Sequence, residues 1–72
     1  MAVTALLDRT IYTEPALRGA VAAFHDVADV IVAADDSGWT VAISGRSPHE
    51  DLAVARPFLT YVLAASLEER LA

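Results

Sequence analysis

Seventy-two residues, 56% of them hydrophobic and none of them cysteine, leave room for one small domain, residues 1–72, and exclude a disulfide or thiolate–metal staple. Ten acidic residues stand against five arginines and no lysine, a formal net charge of −5, so the basic stripe that nucleic acid or an anionic membrane surface requires is missing. No apolar run reaches the ~20 residues of a membrane span, and residues 1–7 lack the charged start and long apolar core of a signal peptide; the expectation is a cytoplasmic protein whose excess apolar content favours association.

Ala2 to Leu7 reads as a strand with Val3, Ala5 and Leu7 on one face, broken by Asp8-Arg9. Thr13 then suits a helix N-cap, with Glu14 at the positive end of the helix dipole and Pro15 in the first turn, where its missing amide costs nothing. Leu17, Ala20, Val21, Phe24 and Val27 recur at helical spacing, which predicts a helix over 14–27. Gly19 weakens that helix and is expected to admit a neighbouring element.

Val30 to Ala34 is an apolar strand-like run. Asp35-Asp36-Ser37-Gly38 reads as a turn, with Gly38 supplying positive φ, and Trp39, Val41 and Ile43 alternate after it, so the pair forms a hairpin. Gly45-Arg46 ends the strand. Ser47-Pro48-His49-Glu50 has the form of a capping box with proline at the first helical position. Pro57 then interrupts the helical pattern, predicting a kink or a break near Arg56.

The element order is therefore β-α-β-β-α, an α+β two-layer sandwich with a three-stranded sheet and helices on one face. Its last helix is the most informative segment. On a helical wheel Leu52, Ala55, Leu59, Val62 and Leu63 form one stripe, and Val54, Phe58, Tyr61 and Ala65 form a second beside it. Together they cover roughly 200° of arc, where one core-facing side needs only about 100°. Three short strands cannot cover both, so Val54, Phe58, Tyr61 and Ala65 are expected to bind a protein partner. The competing expectation is that Pro57 turns the second half of the helix and both stripes enter one core.

No catalytic, cofactor or metal site emerges. His25-Asp26 and His49-Glu50 look like metal half-sites, but zinc needs three or four ligands in fixed geometry. Asp35-Asp36-Ser37-Gly38 lacks the later ligands of a calcium loop. Ser44, Ser47 and Ser66 lack the glycine-flanked elbow of a nucleophile, and the adjacent acidic pairs (Asp35-Asp36, Glu50-Asp51, Glu68-Glu69) do not face one cleft as acid–base pairs do. Trp39 is read as packing at a sheet end.

Leu7-Asp8-Arg9-Thr10-Ile11-Tyr12, Pro15-Ala16-Leu17, Ala20 to Phe24 with Asp26, Asp36-Ser37-Gly38-Trp39-Thr40-Val41, Phe58-Leu59 and Leu67 to Leu71 together make a pattern that resembles the HxsD-like proteins. These are small accessory proteins of His-Xaa-Ser peptide systems, encoded beside radical SAM proteins. The resemblance implies a non-catalytic partner of an enzyme that modifies a ribosomally made peptide, and it carries over no catalytic residues. In that setting the helix stripe docks an enzyme subunit, and the sheet edge or open face presents or receives an extended peptide. The alternative is a small homodimeric enzyme or ligand-binding protein with a pocket between sheet and helices, for which Trp39, Tyr61, His25 and Arg46 are the first candidates. A purely structural subunit or antitoxin-like module is a third class.

Overall fold

The computed structural model describes residues 2–71 as five elements: β1 (Val3–Asp8), α1 (Glu14–Ala23), β2 (Ala28–Ala34), β3 (Gly38–Gly45) and α2 (Asp51–Leu71). The last strand in sequence takes the centre of the sheet, in the order β1-β3-β2, and both neighbours run antiparallel to it. Both β1 and β2 are therefore edges.

Register sorts the side chains into two faces, because neighbours across a sheet share a side and successive residues alternate. The rows Val3–Ile43–Val30, Ala5–Val41–Val32 and Leu7–Trp39–Ala34 form the inner face. Trp39, Val41, Ile43 and Leu7 of these rows are buried. The rows Thr4–Ala42–Ile31 and Leu6–Thr40–Ala33 form the outer face, where Leu6 is 79% and Ile31 72% exposed. Both helices thus lie on the inner face, and the α+β sandwich expected from the element order is what forms.

α1 starts as its sequence dictates. The Thr13 hydroxyl accepts from the Ala16 amide at 3.3 Å, with proline in the first turn. It ends earlier than its periodicity suggests, at Ala23, and Phe24 caps it by donating its amide to the Ala20 carbonyl. His25 consequently sits in the turn that follows the helix. Gly19 admits nothing: a β-carbon there would meet no atom within 4 Å.

Two glycines are required by close approach. A β-carbon on Gly38 would lie 1.9 Å from the Leu7 carbonyl oxygen, and one on Gly45 would lie 2.5 Å from that of His49. The second contact explains why the capping-box reading of Ser47–Glu50 fails. The Asp51 carboxylate accepts from the Gly45 amide at 2.8 Å, and the His49 amide donates to the Arg46 carbonyl. The chain is folded back as a tight turn through 46–50, and α2 begins only at Asp51.

α2 runs unbroken through Pro57 to Leu71. Pro57 is exposed, so the Ala53 carbonyl that proline frees faces the solvent side, and the Thr60 hydroxyl donates to the Arg56 carbonyl nearby.

The core is closed by α1 lying antiparallel along α2. At one end Phe24 meets Phe58 edge-on at 5.5 Å between ring centres. At the other, the buried Ser66 hydroxyl accepts from the Thr13 amide at 3.1 Å, Thr13 donates its hydroxyl to Glu69, and Arg70 donates to the Thr10 carbonyl. Phe58, Val62, Val41 and Ile43 are completely enclosed between these helices and the sheet.

Removing the Phe58 ring empties the centre of the core, so Phe58→Ala should cost about 3–5 kcal/mol in urea unfolding, a large part of the ~5–15 kcal/mol a domain holds. Gly19→Ala should do the reverse: with open space around it, it should raise stability by about 0.5–1 kcal/mol, read as an increase in melting temperature.

Candidate functional site

The residues expected to bind a partner occupy a different place. Val54 and Phe58 are buried in the chain's own core at 5% and 0% exposure, Ala65 is half-buried, and Tyr61 stays 43% exposed with its ring edge against Phe24 at 5.9 Å. Phe58 is covered in part by Phe24 at the end of α1, a contact that a wheel set against the sheet alone leaves out. The expectation for Val54 and Phe58 as partner-facing residues is therefore corrected.

What remains open is the opposite flank. Leu52 (55%) and Leu63 (39%), assigned by the wheel to the core stripe, face solvent together with Leu67 (52%), while Leu59 is half-buried. At 100° per residue these four leucines fall on one strip of the helix, beside the fully used stripe Val54, Ala55, Phe58, Val62 and Ser66.

A second open surface lies along β2. The Arg46 amide donates to the Val27 carbonyl and the Asp35 amide to the Gly38 carbonyl. These bonds bracket the β2–β3 ladder, and antiparallel pairs alternate between bonded and non-bonded. Asp29, Ile31 and Ala33 thus bond to β3, and the main-chain groups of Ala28, Val30, Val32 and Ala34 point outward from the sheet. Of these, the Ala28 amide is taken by the Phe24 carbonyl. Above this edge a groove of about 340 Å3 separates α1 from β2, lined by Glu14, Leu17, Arg18, Val21, Val32, Ala34 and Trp39.

One end of the groove is built by the hairpin turn. Asp35 accepts from the Ser37 hydroxyl, the Ser37 amide and the Gly38 amide, all at 2.8–2.9 Å. These donors, the Ser37 hydroxyl foremost, hold its carboxyl below the ordinary value of 3.8. Arg9 lies over the Trp39 ring at 4.9 Å and donates to the Asp35 carbonyl, so Trp39 packs at the sheet end under a cation.

The candidates for an enzymatic pocket do not converge. Trp39 lines the groove at one end of β3, whereas Arg46 lies just past the other end, roughly 23 Å away at ~3.3 Å per strand residue, and pairs with Asp29 at 2.8 Å. Tyr61 sits beside Phe24, and His25 and His49 lie in exposed turns. Ser66 is engaged in accepting from Thr13. Among the described residues no group of three or more histidines, aspartates and glutamates gathers as a metal site, and no helix is long and apolar enough to cross a membrane. No protein-family model, curated protein or solved structure matches this chain.

The wheel set Val54 and Phe58 outside the core and Leu52 and Leu63 inside it, and the structure has the reverse. The β2 edge was invisible for a different reason. Its signal, an apolar strand with no preferred face, is shared by central and edge strands, and only the strand order tells them apart.

Because the folded state lowers the Asp35 pKa, its stabilising effect is present above the ordinary carboxylate value and is lost as pH falls through the lowered one. Asp35→Asn should therefore be less stable than wild type at pH 7, with the gap closing below about pH 4, in urea titrations repeated across pH.

Proposed function

We propose that this chain is a small non-catalytic interaction subunit that works in the cytoplasm and docks on a larger protein through the leucine flank of α2. The observation that carries the reading is the strip Leu52, Leu63 and Leu67, exposed on a helix whose other side already fills the core. Leaving a leucine in water forgoes about 1.5–3 kcal/mol of burial. Leu59, Leu63 and Leu67 follow one another one turn apart on this strip, with Arg56 and Leu52 toward its start, and an exposed apolar strip of this kind is what a partner covers.

The resemblance to HxsD-like proteins supports an enzyme that modifies a ribosomally made peptide as that partner, with a radical SAM protein as the first choice. A non-catalytic role fits the dispersal of Trp39, Tyr61, His25 and Arg46, which share no cleft. A stretch of the modified peptide is a further candidate partner, held as an added strand.

The test is co-purification of the tagged chain with a radical SAM peptide-modifying enzyme from the cells that make both. Leu63→Glu with Leu67→Glu should keep the wild-type circular dichroism and lose the enzyme at least tenfold, while Glu68→Lys, exposed on the helix about 100° of arc or more from Leu63 and Leu67, should retain it. Equal recovery with all three chains would remove the leucine flank from the interface.

A further inference from the structure

We propose that the β2 edge is a self-association surface. Two copies of this chain pair β2 with β2 antiparallel about a two-fold axis at Ile31, joining their sheets into one of six strands. The proposal uses a surface separate from the leucine flank and stands whether or not that flank has a partner.

The first ground is the state of the edge. Free edge strands are usually blunted by lysine, proline, a bulge or a covering element. β2 has no lysine and no proline, and it pairs with β3 residue for residue from Ala28 to Ala34 without a bulge. Its one charge, Asp29, is held by Arg46 at 2.8 Å on the outer face. Past Ala28, which is buried, the edge is not roofed: Val32 is 40% exposed and Ala34 is exposed, with the groove between them and α1. The β1 edge differs, because the Asp8 carbonyl that would extend it accepts from the Ile11 and Tyr12 amides.

The second ground is register. Outward main-chain groups belong to the even residues 28 to 34, so an added strand must bond to those. With a second copy the arrangement centred on Ile31 pairs residues 29–33 of one strand with 33–29 of the other. Val30 stands opposite the partner's Val32 and exchanges two hydrogen bonds with it, and the ladder stops short of Ala28, which is 3% exposed with its amide on the Phe24 carbonyl. Ile31 faces the partner's Ile31 on the outer side, a β-branched cross-strand pair. Asp29 meets the partner's Ala33. Shifting the register by two residues in one direction sets Asp29 against the partner's Asp35, and by four in the other sets it against the partner's Asp29; both place like charges together and shorten the ladder. The centred register also sets Ile31, 72% exposed in the single chain, against the partner's Ile31.

The pairing has a consequence for the groove. Val32 and Ala34 line it, and across the new ladder Val32 lies beside the partner's Val30 on the same face. The second copy therefore supplies the groove's missing wall, and each dimer carries two such grooves related by the axis.

The experiment combines cross-linking with mass in solution. At the axis Ile31 and its mate form a non-hydrogen-bonded pair with Cα atoms about 4.5 Å apart, within disulfide reach. Under mild oxidation Ile31→Cys should become a covalent dimer at least tenfold faster than Leu6→Cys, which is as exposed on the same face but lies on β1. By light scattering the wild-type chain should run at twice its 7.6 kDa. Val32→Pro, which removes an outward amide and no bond to β3, should run as a folded monomer; Val32→Lys gives the same test by charge should the proline perturb folding. A wild-type monomer up to millimolar concentration overturns the proposal and leaves the edge to an extended peptide. Equal cross-linking of the two cysteine chains, or a dimer that survives both Val32 variants, overturns it in favour of another face such as the leucine flank.

Discussion

Everything in this fold rests on how α2 is covered. Its apolar arc is too wide for three strands, and α1 solves the problem by lying along it, with Phe24 turned edge-on to Phe58. Phe58 is then sealed between helix and sheet, along with Val62, Val41 and Ile43. In a chain of this size the buried fraction is small to begin with, so losing that helix–helix contact would expose the centre of the only core among the described residues. The polar pins at the far end, Thr13 to Ser66 and Glu69, serve the same contact. They satisfy the free first-turn groups of α1 with side chains from the last turns of α2, which fixes the two helices in one alignment.

Using α1 in this way leaves other surfaces bare. One helix cannot cover both the Phe58 side of α2 and the whole inner face of β2. The groove between α1 and β2, and the exposure of Val32 beneath it, are the result on one side. The leucine strip is the result on the other. A 56% hydrophobic chain with no cysteine to stabilise it has no inner space left for these residues. The proposed association through them would be the physical counterpart of its composition.

The turns show how few polar contacts hold the rest in place. Asp35 closes the β2–β3 hairpin with three donors on one carboxylate oxygen, and Asp8 does similar work for the turn after β1, accepting from the Thr10 amide and hydroxyl. Arg9 links the two turns by reaching the Asp35 carbonyl across the sheet end while covering Trp39. None of these groups is buried deeply, and each acts by geometry: a short side chain that accepts from the backbone two or three residues on favours one turn over many.

Local signals in the sequence settled what is decided locally. The alternation of Val3, Ala5 and Leu7, the Asp35–Gly38 turn between two apolar strands, the Thr13 cap with Pro15 behind it, and the β-α-β-β-α order all follow from neighbours within a few residues. The same reasoning misplaced features that depend on distant segments. α2 starts at Asp51 because Gly45 and Asp51 close a turn on each other, whatever the Ser47–Glu50 pattern offers. Gly38 is needed because β1 passes over it, a contact set by pairing. Phe58 is a core residue because Phe24, from far earlier in the chain, packs on it, and β2 is an edge because β3 enters between it and β1. The sequence by itself determined which stretches are helix and strand and that the last helix carries more apolar surface than one face can use. Only the tertiary structure decided which side of that helix and which edge of the sheet are left uncovered, because burial depends on which elements meet, and a helical or strand period is the same whatever lies against it.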